Sequence, residues 1–187
     1  DSASNNIFTG NDITTSTVGI CQWGNGTGNI ANNNKLYDNL FGLHNNTTTV
    51  IDATENWWGD ATGPTHSSNP GGSGDGVTDN VNFNPWYIDA EKTTLITYTV
   101  TFDENGGDTA ANPASIAGIT AGATVTLPTE PTLAGNTFSR WDTLANGTGT
   151  TFDGTTPVIA DMPVYAQWIA ETVSKVGRAA CRGRAGT

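Results

Sequence analysis

The sequence predicts an all-β to mainly β fold, and three observations support this prediction. The 187 residues are rich in Gly, Asn and Thr and poor in Lys and Arg, a composition that favours turns and strands over helices. Residues 5–45 contain an internal repeat, and the second half of the chain contains segments in which apolar and polar residues alternate. No stretch has the apolar spacing of an amphipathic helix or the length of a membrane span.

The repeat has a period of 23 residues. Shifting residues 5–23 by this period pairs like with like, as in Asn6–Asn29, Ile7–Ile30, Asn11–Asn34, Ile13–Leu36, Val18–Phe41 and Ile20–Leu43. Such a period is typical of solenoids, whose units bury their apolar faces against each other. Asn and Gly suit the left-handed backbone of corners, and stacked Asn residues can form hydrogen-bonded ladders. Residues 1–88 are therefore predicted to form the end of a right-handed parallel β-helix, with about two coils and a cap.

A family resemblance points the same way. The Asn-x-Ile and Gly-Ile segments are followed by Asn56-Trp57-Trp58-Gly59-Asp60-Ala61-Thr62-Gly63-Pro64 and later by Gly74-Asp75-Gly76-Val77 and Pro85-Trp86. Over about residues 1–90 the chain resembles the C-terminal coils of bacterial right-handed parallel β-helix repeat surface proteins. This resemblance implies an architecture and a location, and it implies no activity.

Large aromatic side chains are expected to close the β-helix. The last coil of a solenoid exposes apolar side chains and unpaired strand edges, which must be covered. We expect four residues to form this structural cap: Trp57, Trp58, Phe83 and Trp86. The alternative for such an aromatic cluster is a platform on which sugar rings stack.

Residues 89–96 are interpreted as a linker to a second module at residues 97–169. Tyr98, Val100 and Phe102 alternate with threonines, as in a strand with one buried face. Further strands are expected around Val125 and Leu127, at residues 138–141 and at residues 164–168. We expect any helix in this module to be short.

The second module also resembles a known family, the Listeria–Bacteroides repeat, which occurs as the B-repeat of internalins. The matching segments are Tyr98-Thr99-Val100-Thr101-Phe102-Asp103, Asn105-Gly106-Gly107, Leu127-Pro128, Phe152-Asp153 and Tyr165-Ala166-Gln167-Trp168. Asn136 and Arg140 depart from the pattern, which usually has Tyr and Gly at these positions. The resemblance implies a small β-grasp-like module that serves cell-surface proteins as a stalk or interaction unit. Because a module of about 70 residues has a small core, we expect five side chains to build it: Tyr98, Phe102, Phe138, Trp141 and Trp168.

The charge distribution limits the possible partners. All 18 acidic residues precede residue 175, and only Lys35, Lys92 and Arg140 oppose them there. Such an acidic body repels phosphate, which argues against nucleic acid as a partner. The other basic residues crowd the end of the chain, so residues 170–187 are predicted to form a disordered basic tail.

Few residues are arranged for chemistry. Polysaccharide-cleaving enzymes need carboxylates that converge in one cleft, but the 23-residue shift places Asp12 on Lys35 and Asp38 on Thr15. The shift also places Cys21 on His44, a pair that can activate a thiolate or bind a metal, although no third group falls in register. The simpler interpretation is a coincidence of two surface residues. Since Cys21 and Cys181 lie in unrelated regions, no structural disulfide is expected.

A calcium site is the only cofactor site that the sequence suggests. Four oxygen-bearing residues surround a Gly-rich segment that also offers carbonyl oxygens: Asp60, Asp75, Asp79 and Asn80. Calcium takes about six to eight oxygen ligands, although the spacing here matches no defined calcium loop. The nearby His66 is interpreted as an ordinary loop residue.

These observations predict a non-catalytic fragment of a bacterial cell-surface or secreted protein that acts as a structural stalk or adhesion module. We expect an extracellular location, a monomeric fragment, and glycans or surface proteins as partners. The alternative is the C-terminal part of a polysaccharide lyase or hydrolase whose active coils lie upstream of this sequence. Fold alone does not decide between the two.

Overall fold

A computed structural model of the chain describes residues 3–172. This part of the chain contains fifteen strands and no helix, so the predicted all-β class is confirmed for it. A helix able to span a bilayer is accordingly absent from residues 3–172. The basic tail was predicted to comprise residues 170–187. Ala170 instead ends the last strand, and residues 173–187 of this tail lie outside the described residues.

The described chain divides into two compact units. The first unit contains residues 3–101, 115–127 and 154–162, and the second contains residues 102–114, 128–153 and 163–172. The first ten strands all belong to the first unit. They are β1 (Ile7–Thr9), β2 (Asp12–Thr14), β3 (Val18–Gln22), β4 (Ile30–Asn32), β5 (Lys35–Tyr37), β6 (Phe41–Asn45), β7 (Ile51–Asp52), β8 (Pro64–Thr65), β9 (Gly74–Val77) and β10 (Val81–Asn82).

These ten strands form three sheets in which every pairing is parallel. The sheets have the orders β1-β4-β7-β10, β2-β5 and β3-β6-β9-β8. The strand partners include Ile7–Ile30, Ile13–Leu36 and Val18–Phe41. The structure therefore confirms the 23-residue register predicted from the sequence.

Corners between the strands recur with the same period. The backbone is left-handed at three equivalent pairs of positions: Asn5 and Gly28, Gly10 and Asn33, Thr15 and Asp38. Gly, Asn and Asp tolerate this conformation well, whereas a β-branched Thr does not. Thr15 shows that the stacked strands can impose a corner on a residue that disfavours it.

Asparagine side chains connect the successive turns of chain. Asn29 Oδ1 accepts hydrogen bonds from the backbone N and from Nδ2 of Asn6, both at 3.0 Å. Asn34 Oδ1 accepts the same pair of bonds from Asn11, also at 3.0 Å. Because these groups lie where strands turn, the ladders satisfy backbone donors that the sheets leave unpaired.

The stack is taller than the two coils that the repeat predicts. β7 and β10 continue the first sheet beyond β4, and β9 continues the third sheet beyond β6. The later strands escape the 23-residue shift because the spacing changes: Ile30 pairs with Asp52, and Phe41 pairs with Gly76. The inserted residues 59–73 lengthen the last turn and hide the repeat.

The interior of this stack is one continuous apolar cluster. Its most buried members are Ala31, Leu36, Leu43, Ile51, Ala53 and Trp58, each at most 1 % exposed. Ile20, Val77, Val81, Phe83 and Trp86 complete the same cluster. Burial of apolar side chains on this scale is the main favourable contribution to folding.

The remaining strands are β11 (Thr97–Asp103), β12 (Ser115–Thr120), β13 (Asn136–Asp142), β14 (Thr151–Phe152) and β15 (Met162–Ala170). In the first unit β12 pairs antiparallel with β11, and in the second unit β13 pairs antiparallel with β14 and β15.

The prediction of a strand around Val125 and Leu127 was wrong. Both residues lie outside strands, although Val125 is buried. The strand that pairs with β11 is instead Ser115–Thr120, whose Ser, Ala and Gly residues have low strand propensity. Pairing with β11 therefore determines the extended conformation of this segment, and the intrinsic strand propensity of its residues does not.

Candidate functional site

The four residues predicted to form the cap differ in burial. Trp58 is fully buried, Phe83 and Trp86 are less than 9 % exposed, and Trp57 is half-buried. Trp57 contributes through its backbone, because its N–H donates to Asn34 O and its carbonyl accepts from Leu36 N. The three buried rings belong to the apolar cluster of the stack, whereas Trp57 extends the β2-β5 sheet.

Trp86 is held tightly by residues 61–63. Its Nε1 donates to Ala61 O at 3.1 Å. A Cβ atom placed on Gly63 would lie 2.4 Å from the Trp86 ring, and the φ angle of Gly63 is +79°. Glycine is therefore required at position 63 both for its left-handed backbone and for the close approach of the indole.

The four residues predicted to bind calcium have separate partners. Asp60 accepts from Thr62 N and Oγ1, which lowers its pKa, and Asp75 accepts from Asn39. Asp79 pairs with His66, and Asn80 Nδ2 donates to Thr47 O. Within residues 3–172, no three or more His, Cys, Asp or Glu side chains are grouped to hold a metal ion. The calcium site therefore stays a prediction, because the structure gives these four side chains separate partners and no common centre.

His66 lies between a hydroxyl and a carboxylate. Its Nδ1 is 2.7 Å from Ser68 Oγ, and its Nε2 is 3.2 Å from Asp79 Oδ1. The three residue types are those of a serine hydrolase, in which a buried carboxylate orients the imidazole. Here the Asp79 side chain is 89 % exposed, so water competes for the carboxylate and the arrangement lacks that orienting group.

Cys21 and His44 are paired across β3 and β6, as the 23-residue shift predicts. Cys21 is a free thiol, and burial raises its pKa. A raised pKa reduces the fraction of thiolate at neutral pH, and the thiolate is the nucleophile and metal ligand. The raised pKa of Cys21 therefore argues against an activated Cys–His pair.

Asp75 is a structural carboxylate that the repeat did not identify. Asn39 N donates to Oδ1 at 3.0 Å and Asn39 Nδ2 donates to Oδ2 at 2.6 Å, although the residues are 36 positions apart. Asn39 in turn accepts from Ser16 N, so Asp75 ends a ladder. Burial raises the pKa of Asp75, and the bonds from Asn39 oppose this shift. The insertion before β9 removed the spacing signal that would have revealed it.

A groove of about 480 Å³ opens beside this ladder. Its walls include Asp38, Phe41, Thr65, Ser73 and Gly76. Neither the Asp38 carboxylate nor the Ser73 hydroxyl has a hydrogen-bond partner within residues 3–172. The groove therefore offers hydrogen-bonding groups to solvent or to a ligand.

A row of rings continues from this groove along the outer face of β3 and β6. Phe41 and His44 meet edge to face with their ring centroids 5.5 Å apart, and His44 stacks on Trp23 at 6.3 Å. Trp23 follows β3 directly and is 68 % exposed. We call Phe41, His44 and Trp23 the aromatic row. The sequence does not reveal this row, because Phe41 and His44 lie on β6, Trp23 follows β3, and the three residues share no motif.

The predicted core residues of the second module are placed as follows. Phe102 packs against Trp141 and Phe138 packs against Trp141 and Trp168, with centroids 5.1, 5.2 and 6.0 Å apart. Phe102 and Trp141 are buried, whereas Phe138 and Trp168 are half-buried. Tyr98 belongs to the first unit, where its hydroxyl donates to Asn84 Oδ1 at 2.9 Å.

Comparison with known protein families finds a match that covers part of the chain. Residues 98–167 match the model of the Listeria-Bacteroides repeat domain, in agreement with the resemblance seen in the sequence. This repeat is typical of bacterial surface proteins. No curated protein and no solved structure matches the chain.

Proposed function

We propose that the chain is a non-catalytic structural stalk or adhesion module of a bacterial cell-surface or secreted protein. In this proposal residues 1–88 are the capped end of a right-handed parallel β-helix, and residues 97–169 are a β-grasp-like repeat module. The observation that carries the proposal is the stack of parallel strands joined by Asn ladders, in the same chain as a repeat typical of bacterial surface proteins.

The hydrogen bonds of the ladders support a structural role. Asn56 Nδ2 donates to Ala31 O and Ala53 O at 2.6 and 2.7 Å, while its Oδ1 accepts from Asn34. Each side chain of this kind fixes the register of two neighbouring turns of chain. A buried polar network that is fully satisfied makes a structure rigid, which suits a stalk.

The location is tested on intact cells of the bacterium that produces the protein. Brief protease treatment of intact cells, or analysis of the culture medium, is followed by mass spectrometry. We expect peptides from residues 97–169 in the released or secreted fraction, together with known surface markers. Recovery only after cell lysis would contradict the extracellular location.

The absence of catalysis is tested separately. The purified chain is incubated with neutral and anionic polysaccharides, and the reducing ends and unsaturated products are measured. We expect no product above the level of a heat-denatured sample. Product formation would instead favour a polysaccharide lyase or hydrolase, and the same assay on the parent protein would show whether upstream coils carry the activity.

A further inference from the structure

The geometry points to a binding site for neutral polysaccharide chains on the outer face of β3 and β6, formed by the aromatic row and the adjoining groove. This inference deepens the proposed adhesive role and rests on it. It names the ligand class and the residues, and the three rings of its aromatic row are not among the four aromatic residues of the predicted cap.

The exposed ring of Trp23 is the strongest single indication. Of the aromatic side chains, Trp58, Trp86, Phe83 and Trp141 are buried, but Trp23 leaves 68 % of its surface open. Its indole stacks on His44, and the Phe41 ring meets the same imidazole edge to face. An exposed large aromatic side chain leaves apolar surface in contact with water, which is unfavourable unless a ligand covers that surface. The apolar C–H face of a sugar ring is a suitable cover.

His44 acts here as part of an apolar surface. Its Nδ1 is buried and has no hydrogen-bond partner within the described residues. The imidazole contacts the rings of both Phe41 and Trp23 and adds to the aromatic surface that they form. The row is continuous from Phe41 to Trp23, which suits a chain of linked sugar rings better than a single monosaccharide.

The groove supplies the polar half of the site. Asp38 and Ser73 carry unused acceptor and donor groups, and Thr65 Oγ1 donates to Gly74 O at 2.8 Å while keeping its lone pairs available. Sugar hydroxyls both donate and accept hydrogen bonds, so this combination fits them. Ligand sites typically combine an apolar surface with a few polar groups that fix orientation.

Gly76 keeps the groove open next to Phe41. A Cβ atom at position 76 would lie 2.9 Å from Leu40 O and 3.1 Å from the Phe41 ring. The absence of a side chain there lets the Phe41 ring lie against the backbone of β9. The aromatic row and the groove are thus parts of one surface.

Charge restricts the ligand to neutral glycans. The chain before residue 175 has three basic residues against 18 acidic residues, and the groove contains Asp38 and Asp75 without a Lys or Arg. Anionic chains such as polyuronates would be repelled by this field. A neutral glycan can use the carboxylate of Asp38 as a hydrogen-bond acceptor at no such cost.

Isothermal titration of the full chain with neutral hexasaccharides tests the site. The probes are the β-1,4-glucan, β-1,3-glucan, xylan and mannan hexasaccharides, with hexagalacturonate as the anionic comparison. We expect at least one neutral hexasaccharide to bind more tightly than its disaccharide and to change the tryptophan fluorescence. Trp23→Ala should weaken this binding at least tenfold and remove the fluorescence change.

Two further variants make the test specific. Asp38→Asn keeps the size of the side chain and tolerates the left-handed backbone at this corner, and we expect several-fold weaker binding. Ile159→Ala removes a side chain that is 65 % exposed and lies outside the row and the groove, so binding should be unchanged.

Three results would overturn the inference: no binding of any neutral hexasaccharide, unchanged binding by Trp23→Ala, or preference for hexagalacturonate. None of them touches the structural role or the surface location, which the cell-fractionation and product assays examine independently. Conversely, intracellular recovery with intact glycan binding would reject the proposed location and leave the site standing.

Discussion

Asn56 Oδ1 accepts two hydrogen bonds from Asn34, one from its backbone N at 2.7 Å and one from its Nδ2 at 3.1 Å. Both residues are fully buried. The same pair of hydrogen bonds connects Asn34 to the preceding turn, because its Oδ1 accepts from the backbone N and Nδ2 of Asn11. One buried amide therefore ties three turns of chain together, and this is the polar counterpart of the apolar cluster beside it.

Replacing Asn34 by Ala should strongly destabilise the fold. The change removes the donors to Phe8 O, Asn32 O and Asn56 Oδ1 and the acceptor of Asn11. Buried groups that lose their partners cost about 1–3 kcal/mol each when water cannot replace them, so we expect a loss of roughly 2–4 kcal/mol. Urea unfolding followed by circular dichroism measures the free energy of unfolding.

Asn46→Ala is the matched control for this ladder variant. Asn46 is exposed, and only its backbone N–H is used, donating to Gln22 O. Its truncation should change the free energy of unfolding by less than about 0.5 kcal/mol. Equal effects of the two substitutions would show that the ladder does not hold the turns.

The adjacent tryptophans should respond differently to truncation. Trp58 is fully buried in the apolar cluster, so Trp58→Ala should cost about 3–5 kcal/mol. Trp57 is half-buried and contributes its backbone, which alanine retains, so Trp57→Ala should cost less than half as much. Thermal unfolding of both variants compares them, and a larger effect at Trp57 would contradict the structure.

Gly63→Ala should destabilise the contact with Trp86. The added methyl group would meet the indole at 2.4 Å in a left-handed backbone, and overpacking of this kind costs about 1–3 kcal/mol. Gly71→Ala is the control, since a Cβ atom there meets nothing within 4 Å. Thermal unfolding should show a lower Tm for Gly63→Ala only, and an equal Tm for both variants would mean that the Trp86 ring moves freely.

Asp75 should make stability fall as the pH rises. Burial raises its pKa in the folded state, so the folded chain holds this proton more tightly than the unfolded chain, whose Asp pKa is about 3.9. The free energy of unfolding therefore decreases with pH from about 4 up through the raised pKa. Asp75→Asn should remove this decrease and gain stability relative to the native chain as the pH rises. If the free energy of unfolding changed with pH equally in the native chain and in Asp75→Asn, the pH dependence could not be assigned to Asp75.

Asp142 should show the opposite pH dependence in the second unit. The backbone N–H of Leu144 at 2.9 Å lowers its pKa, and Arg140 and Gly149 N act in the same direction. Its contribution to stability is present above the unfolded pKa of about 4 and is lost as the pH falls through the lower folded pKa. Asp142→Asn should be less stable than the native chain at neutral pH, with a difference that shrinks under acid conditions. A difference independent of pH would mean that the carboxylate charge is not used.

Several features could be predicted from the sequence because they depend on local spacing. The 23-residue shift gave the register of β1 to β6, since stacked parallel strands place equivalent residues opposite each other. Alternating Tyr98, Val100 and Phe102 predicted β11, because a strand with one buried face repeats every two residues. The motifs at residues 97–169 predicted the family match at residues 98–167.

Only the tertiary structure decided the rest. The insertion at residues 59–73 shifts Asp75 out of the repeat, so its role beneath Asn39 follows from folding and not from spacing. The aromatic row joins Trp23, which follows β3, to Phe41 and His44 of β6, and these residues meet only when the turns stack. The sequence by itself determined the 23-residue period of the repeat, the all-β class of the fold and the acidic charge of the chain. Stacking determined which Asn is buried, which Trp is exposed and which carboxylate faces the groove, because these properties depend on neighbours that are distant in the chain.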